Sequence, residues 1–234
     1  MKENLKKFTC QCVSPRYLNI DKSWQEYEQE QGKHTRVYPL PTDIVRLDTT
    51  TASSHLKPSV GSIFQQGYSK DYRPDLAQVK IMLASLDPLG WTEASQVVAG
   101  NEADDPLYEP AIKQVRNILD KEGVLYVGDC KMGASSIRAS IKKANDYYLM
   151  PLSATIVTEE VLDAYLTPVG SSSRIIEPIY RFHDNGGMEK IAQGFEINET
   201  VTGIVSGETI SWSELCTVLN QTCRDTRKSF EQTS

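Results

Sequence analysis

Two stretches of the sequence decide the fold, residues 44–51 (IVRLDTTT) and residues 124–131 (VLYVGDCK). Each begins as an apolar run with β-branched residues, which is typical of a buried β-strand, and each run ends on an aspartate. If the two strands are parallel neighbours, Asp48 and Asp129 meet at one place in the sheet. Two carboxylates held together at strand ends form a site for a hard divalent cation. The two stretches therefore suggest phosphoryl-transfer chemistry.

The composition is that of an ordinary soluble protein. The chain has 234 residues, of which 39% are hydrophobic and 24% charged, and this length suits one large domain or two small ones. No apolar run is long enough to span a bilayer, and the basic N-terminus lacks the apolar segment of a signal peptide. Five cysteines without paired spacing predict reduced thiols in a cytoplasmic protein and not a zinc site.

The net charge of −6 bears on possible partners. A complete protein that binds DNA strongly usually has a basic surface, so the acidic balance argues against strong autonomous DNA binding. It does not exclude an acidic catalytic core whose positive charge lies elsewhere.

The chain divides into three stretches with different composition. Residues 1–42 are polar and predict a solvated connector with one helix near residues 22–31, which ends before Pro39. Residues 43–153 alternate strands and helices. Residues 154–234 predict a short helix at 158–166 followed by a β-rich region and a polar tail from Thr222 that begins another helix.

The central stretch predicts an α/β fold. A helix is expected from Asp105, as N-cap, and Pro106, and a second helix from Gly133. The early strands have no helix between them and favour an antiparallel meander, whereas the later strand–helix–strand units require parallel pairing. This order predicts a ribonuclease H-like mixed five-stranded sheet in which the first and fourth strands are parallel neighbours. The predicted strands are residues 43–49, 61–66, 79–86, 124–129 and 147–150, and the segment 95–99 is left unassigned.

Four motifs carry a family resemblance. Residues 47–51 (LDTTT), 67–76 (GYSKDYRPDL), 100–108 (GNEADDPLY) and 127–132 (VGDCKM) occur in an order and at spacings that resemble the catalytic core of a DDE transposase of a bacterial insertion sequence. The resemblance is dense over residues 37–153 and thinner beyond them. It implies a ribonuclease H-like core with a β-rich insertion, two Mg²⁺ or Mn²⁺ ions, and cleavage and strand transfer at transposon ends.

The resemblance also assigns roles to residues. Asp48 and Asp129 match the family's first and second catalytic aspartates, and each would be a metal ligand. The third acid of the family is a glutamate on a helix after the insertion, and no residue here matches it, since Glu177 precedes Pro178. The chain thus resembles a fragment truncated at both ends, which we expect to be inactive or nearly so by itself.

The partners implied are DNA, as transposon ends and target, and a full-length transposase or a second copy of the chain, without a membrane. The implied location is the bacterial cytoplasm, at the nucleoid when DNA is bound. Four basic residues are candidates for contacts with phosphate groups: Lys70, Arg73, Lys131 and Arg138.

Each of these features also has a purely local interpretation. Asp48 can cap the turn of the threonines that follow it, and Asp129 can cap the next helix. The basic residues can belong to a solvated loop and to the polar face of a helix. Two other functions also remain open, a non-catalytic remnant that binds full-length transposase or DNA, and an unrelated metal-dependent nuclease or phosphatase.

Overall fold

The computed structural model describes residues 20–58, 61–70, 72–184 and 186–221. These residues belong to two compact units that divide between Met150 and Pro151. None of the helices in these ranges is long and apolar enough to cross a membrane.

The first unit consists of α1 (Ile20–Val37), β1 (Ile44–Ser54), β2 (Ala77–Leu86), β3 (Trp91–Ala99), α2 (Asp105–Leu119), β4 (Leu125–Val127), a 3₁₀ turn (Cys130–Gly133), α3 (Ser135–Lys143) and β5 (Tyr147–Leu149).

The five strands of the first unit form one mixed sheet in the order β3-β2-β1-β4-β5. The pairs β1–β2 and β2–β3 are antiparallel, whereas β1–β4 and β4–β5 are parallel. This is the predicted ribonuclease H-like arrangement, in which the first and fourth strands are parallel neighbours. The fold class expected from the sequence is therefore confirmed.

Strand β1 shows why its sequence forms this sheet. Val45, Leu47 and Thr49 are buried, whereas Arg46 and Asp48 between them are exposed. This alternation has the period of two that a β-strand requires when one of its faces is packed. The buried face joins a core to which α2 contributes a stripe at helical spacing: Leu107, Tyr108, Ala111, Ile112, Val115, Ile118 and Leu119. Asp48 is therefore fixed on the solvent-facing side of a strand with a packed core face.

The second predicted strand, residues 61–66, is not a strand of this sheet. It makes a single bridge, in which Gln65 and Gln78 exchange backbone hydrogen bonds of 2.9 and 3.0 Å. The reason is that β3 occupies the same side of β2 from Val79 onward, so that only Gln78 is available for pairing. The sheet instead takes its fifth strand from β3, whose second half is the segment that the sequence left unassigned.

The start of α2 also differs from the prediction. The residue at the N-cap is Asp104 and not Asp105, which lies in the first turn together with Pro106. The Asp104 side chain makes no capping hydrogen bond, because its carboxylate forms an ion pair of 2.6 Å with the buried Lys80 on β2. Asp104 therefore neutralises the buried Lys80, and Asp105 places a negative charge in the first turn of α2.

Helix α1 is longer and more buried than a solvated connector would be. Its Glu28 and Thr35 side chains are buried, and both form hydrogen bonds to residues of the edge strand β3. The helix therefore covers an edge of the sheet that would otherwise expose unpaired backbone groups. The sequence did not predict that α1 packs against the sheet, because the residues that make the contact are polar. The division of the chain at residue 42 remains a prediction.

The second unit is described by itself. It contains α4 (Glu159–Gly170), β6 (Glu177–Phe182), β7 (Met188–Val205) and β8 (Glu208–Gln221), and the strands form an antiparallel sheet in the order β6-β7-β8. Thr158 caps α4 by accepting a hydrogen bond from the backbone N–H of Val161. The sequence suggests separate strand pieces at residues 192–197 and 201–205, but both are parts of β7, because residues 198–200 between them stay paired with β8. The predicted helix from Thr222 lies outside the described residues.

Candidate functional site

The register of β1 and β4 brings the two candidate aspartates to the same level. The parallel pairs are Ile44 with Leu125, Val45 with Tyr126 and Arg46 with Val127. Asp48 lies two residues after Arg46, and Asp129 lies two residues after Val127. Strand β4 ends at Val127, whereas β1 continues beside β2 as far as Ser54. An open position therefore lies beside β1 at Asp48, with Asp129 at its border.

Asp48 is exposed and has a cation beside it. Its side chain is 79% exposed, and its Oδ1 accepts a hydrogen bond of 2.7 Å from the backbone N–H of Thr49. The Nζ atom of Lys70 lies 3.8 Å from the same oxygen. Lys70 also donates to the Thr49 carbonyl and, over 3.0 Å, to the Thr49 hydroxyl. The lysine is thus anchored next to the carboxylate. Asp48 does not cap a turn, as the local interpretation suggested, because residues 49–51 continue strand β1.

Asp129 is held more firmly than Asp48. Its Oδ1 accepts a hydrogen bond of 2.6 Å from the Tyr108 hydroxyl and one of 2.8 Å from the backbone N–H of Lys131. The second bond caps the 3₁₀ turn, and the helix proper begins only at Ser135 and not at Gly133. Asp129 therefore caps the 3₁₀ turn and not the helix that the local interpretation named, and the hydrogen bonds to it reach only one oxygen of the carboxylate.

Tyr108 is a residue of this site that the sequence analysis missed. Its side chain is fully buried on α2, and burial raises the pKa of its phenol far above the usual value. The hydrogen bond to Asp129 and the charges of Asp129, Asp48 and Asp104 raise the pKa further. The hydroxyl is therefore protonated at neutral pH and acts as a donor. Its signal was available, since Tyr108 ends the third quoted motif, but nothing in the sequence shows which acid a tyrosine hydroxyl reaches.

Three of the four candidate basic residues lie on the surface. Lys70 is beside Asp48, and Lys131 has an exposed side chain whose Nζ is 3.7 Å from an Asp105 carboxylate oxygen. Arg73 is in the loop that carries Lys70, but its guanidinium forms two hydrogen bonds of 2.7 and 2.8 Å with Asp75. Lys70 and Lys131 are therefore the cations that flank the two aspartates.

Arg138 does not fit the surface role that the sequence suggested for it. The residue is only 7% exposed, because α3 turns this position toward the interior of the unit. A buried guanidinium offers little surface to a phosphate group. The basic stretch after Asp129 is thus not one continuous face, and we do not assign Arg138 to a nucleic-acid contact.

The groups that the site offers as ligands can be compared with those that a divalent cation requires. In the described ranges, no group of three or more His, Cys, Asp or Glu side chains could hold a metal ion. The site offers two carboxylates, and Mg²⁺ is commonly bound by one or two carboxylates together with waters and substrate phosphates. Asp48 and Asp129 fit such an ion in that manner. Glu177, which the sequence analysis rejected as the third acid because it precedes Pro178, lies on strand β6 and not on a helix.

Neither a protein-family model nor a curated protein matches this sequence. Among solved structures, the chain is similar to a piggyBac transposase synaptic complex with hairpin DNA, at 10% identity and a TM-score of 0.39, over 63% of this chain and 32% of that one. It is similar to a Mos1 transposase paired-end complex at 11% identity and a TM-score of 0.33, over 63% and 47%. A Ciona intestinalis endonuclease V bound to inosine-containing DNA matches at 9% identity and a TM-score of 0.26, over 77% of each chain. The chain spans less than half the length of either transposase.

Proposed function

We propose that this chain contains the catalytic core of a DNA transposase of the DDE type found in bacterial insertion sequences, and that Asp48 and Asp129 hold its Mg²⁺ or Mn²⁺ ions. The observation that carries the proposal is the parallel pairing of β1 with β4, which brings the two aspartates level. The motif resemblance supports the same assignment. In this proposal, residues 43–153 are the core, residues 1–42 lead into it, and residues 154–234 are the β-rich insertion.

The aspartates and the lysines of the site would have different roles. Divalent ions at such a site activate the attacking oxygen and stabilise charge on the leaving oxygen of a phosphodiester. Asp48 and Asp129 anchor them on strands whose core face is packed, which keeps the ligands rigid. Lys70 and Lys131 flank the aspartates and attract the phosphate groups of the DNA backbone.

DNA is the proposed partner, as transposon ends and as target, together with a full-length transposase or a second copy of the chain, in the bacterial cytoplasm. The net charge of −6 means that the two flanking lysines do not make the chain basic overall. We therefore expect binding to DNA to be weak, and because so few phosphate groups are contacted, the affinity should depend only shallowly on salt.

The second candidate function is a non-catalytic remnant that binds a full-length transposase or DNA. The observation that favours it is the set of acids at the site, since the described residues supply two carboxylates there and Asp48 is largely exposed. The two candidates differ in one measurable respect. The proposed catalytic core binds Mn²⁺ through Asp48 and Asp129, whether or not this chain cuts DNA by itself, whereas a remnant in which the site is not assembled does not.

Titration of the purified chain with Mn²⁺, read out as the melting temperature, tests the proposal. We expect stabilisation by about 2.7 kcal/mol when free metal is a hundred times its dissociation constant. Asp48→Asn and Asp129→Asn should remove the metal-induced shift, because each replaces an anionic ligand by a neutral one. Asp43→Asn, immediately before the first residue of β1, is the matched control and should keep it. A folded wild-type chain that does not respond to metal would overturn the proposal.

The same four proteins, incubated with Mn²⁺ and supercoiled plasmid, show whether the chain is active by itself. We expect metal-dependent stabilisation with little or no nicking, which leaves the catalytic-core proposal standing. Nicking by the wild-type chain that is lost in Asp48→Asn would overturn the expectation that the chain alone is inactive.

A further inference from the structure

The hydrogen bond between Tyr108 and Asp129 joins the core to the proposed site. The Tyr108 ring is fully buried on α2, and its hydroxyl lies 2.6 Å from Asp129 Oδ1. This distance lies in the range of a charge-assisted O–H···O⁻ bond, which is about twice as strong as a neutral one. A fully buried side chain therefore holds a carboxylate that lies two residues beyond the end of β4.

The two donors to Oδ1 fix the orientation of the carboxylate. One comes from α2 and the other is the backbone N–H of Lys131 in the 3₁₀ turn. The terminal torsion of an aspartate is broad when nothing constrains it. Two donors from separate elements on one oxygen select a single orientation. No hydrogen bond from the described part of the chain reaches Oδ2, so this oxygen keeps its lone pairs for a cation.

We propose that Tyr108 is a positioning residue of the metal centre, which holds Asp129 Oδ1 so that Oδ2 is presented to the cation. This inference rests on the proposed function, because it assigns a role toward the metal that Asp129 would bind. Groups that orient a metal ligand by hydrogen bonding commonly change metal affinity 10- to 100-fold when they are removed.

A second buried tyrosine provides the comparison that a structural role needs. Tyr126 on β4 is as fully buried as Tyr108 and lies three residues before Asp129. Its phenol lies beside Asp146 and Arg116 and not beside either site aspartate. Removing its hydroxyl therefore perturbs the same core without touching the proposed metal ligands.

The test is the Mn²⁺ affinity of Tyr108→Phe, measured by calorimetric titration beside wild type, Tyr126→Phe and Asp129→Asn. We expect Tyr108→Phe to bind Mn²⁺ about 10- to 100-fold more weakly than wild type, and Tyr126→Phe to bind it as wild type does. Metal-free melting of both tyrosine variants shows whether each is folded. Unchanged affinity in a folded Tyr108→Phe overturns the inference and leaves the proposed function standing. Absence of any Mn²⁺ binding by the folded wild type overturns both.

A second measurement covers the case in which Tyr108→Phe does not fold. Incorporation of 3-fluorotyrosine at position 108 keeps the hydroxyl and nearly the same shape. Its fluorine resonance should shift during titration with Mg²⁺, at the dissociation constant found calorimetrically for that ion, and the shift should disappear in Asp129→Asn. A resonance that does not respond to bound Mg²⁺ contradicts the inference.

Discussion

Replacing Asp146 by alanine is expected to lower the free energy of unfolding by about 3–5 kcal/mol, the usual cost of removing one partner from a buried ion pair. Asp146 is only 1% exposed. Its Oδ2 accepts a hydrogen bond of 2.7 Å from Arg116 Nε, and its Oδ1 accepts one of 3.0 Å from the backbone N–H of Val124. The alanine variant leaves both donors without this partner and leaves a cation largely buried.

The position of Asp146 connects this stability to the proposed site. Arg116 lies on α2, Val124 immediately precedes β4, and Asp146 immediately precedes β5. The carboxylate therefore ties the helix that carries Tyr108 to the strand that leads to Asp129. We expect the Asp146→Ala variant to lose metal-induced stabilisation together with its fold.

Denaturation with urea measures this prediction, and Asp43→Ala is its matched control. Asp43 forms an ion pair of the same length, 2.7 Å, with Lys121, but its side chain is 83% exposed. Exposed pairs of this kind contribute about 0–1 kcal/mol. Equal losses of unfolding free energy in the two variants would show that burial does not strengthen the Asp146 pair.

The parts of the fold that the sequence predicted correctly depend on simple periodicity. The alternation around Leu47 and the apolar run before Asp129 identify two strands, and the helical stripe of α2 lies between them. A strand–helix–strand unit must cross over to parallel pairing. These local signals were enough to predict that Asp48 and Asp129 come together, and the observed register agrees with that expectation.

The parts that the sequence did not predict depend on contacts between distant polar residues. The sequence predicts that Glu28 is solvated, but its side chain is buried because it accepts a hydrogen bond from a residue 67 positions away on β3. Arg138 reads as part of a basic face, although its helix turns it inward. Tyr108 lies on a helix whose spacing indicates that the ring is buried, but spacing does not show that its hydroxyl reaches Asp129. Composition and periodicity carry no information about such pairs.

The polar contact of α1 predicts an unusual dependence of stability on pH. Glu28 is 3% exposed and accepts hydrogen bonds from Trp24 Nε1, from the backbone N–H of Ser95 and from Gln114. Burial raises the pKa of this carboxyl above its ordinary value of 4.5, although the bonds from Ser95 and Trp24 work in the opposite direction. The folded chain therefore binds this proton more tightly than the unfolded chain does.

The sign of the effect follows from that difference. The stability that the Glu28 proton contributes is fully present below the unfolded pKa and is lost as the pH rises through the folded pKa. Glu28→Ala leaves buried donors without a partner, at about 1–3 kcal/mol for each one that water cannot reach. We therefore expect the loss in unfolding free energy on Glu28→Ala to be largest below about pH 4.5 and to become smaller as the pH rises through the raised pKa of the folded chain.

Glu30, two residues away on the same helix, is the matched control. It is exposed and forms an ion pair of 2.6 Å with Lys33, whose hydrogen bond lowers the pKa of the carboxyl. Its contribution therefore has the opposite sign, being present above the unfolded pKa and lost as the pH falls. Urea denaturation of wild type, Glu28→Ala and Glu30→Ala from pH 4 to pH 8 should show the two differences changing in opposite directions. If both differences grew with pH, Glu28 would be an ordinary solvated carboxylate, and α1 would not cover the edge of the sheet through it.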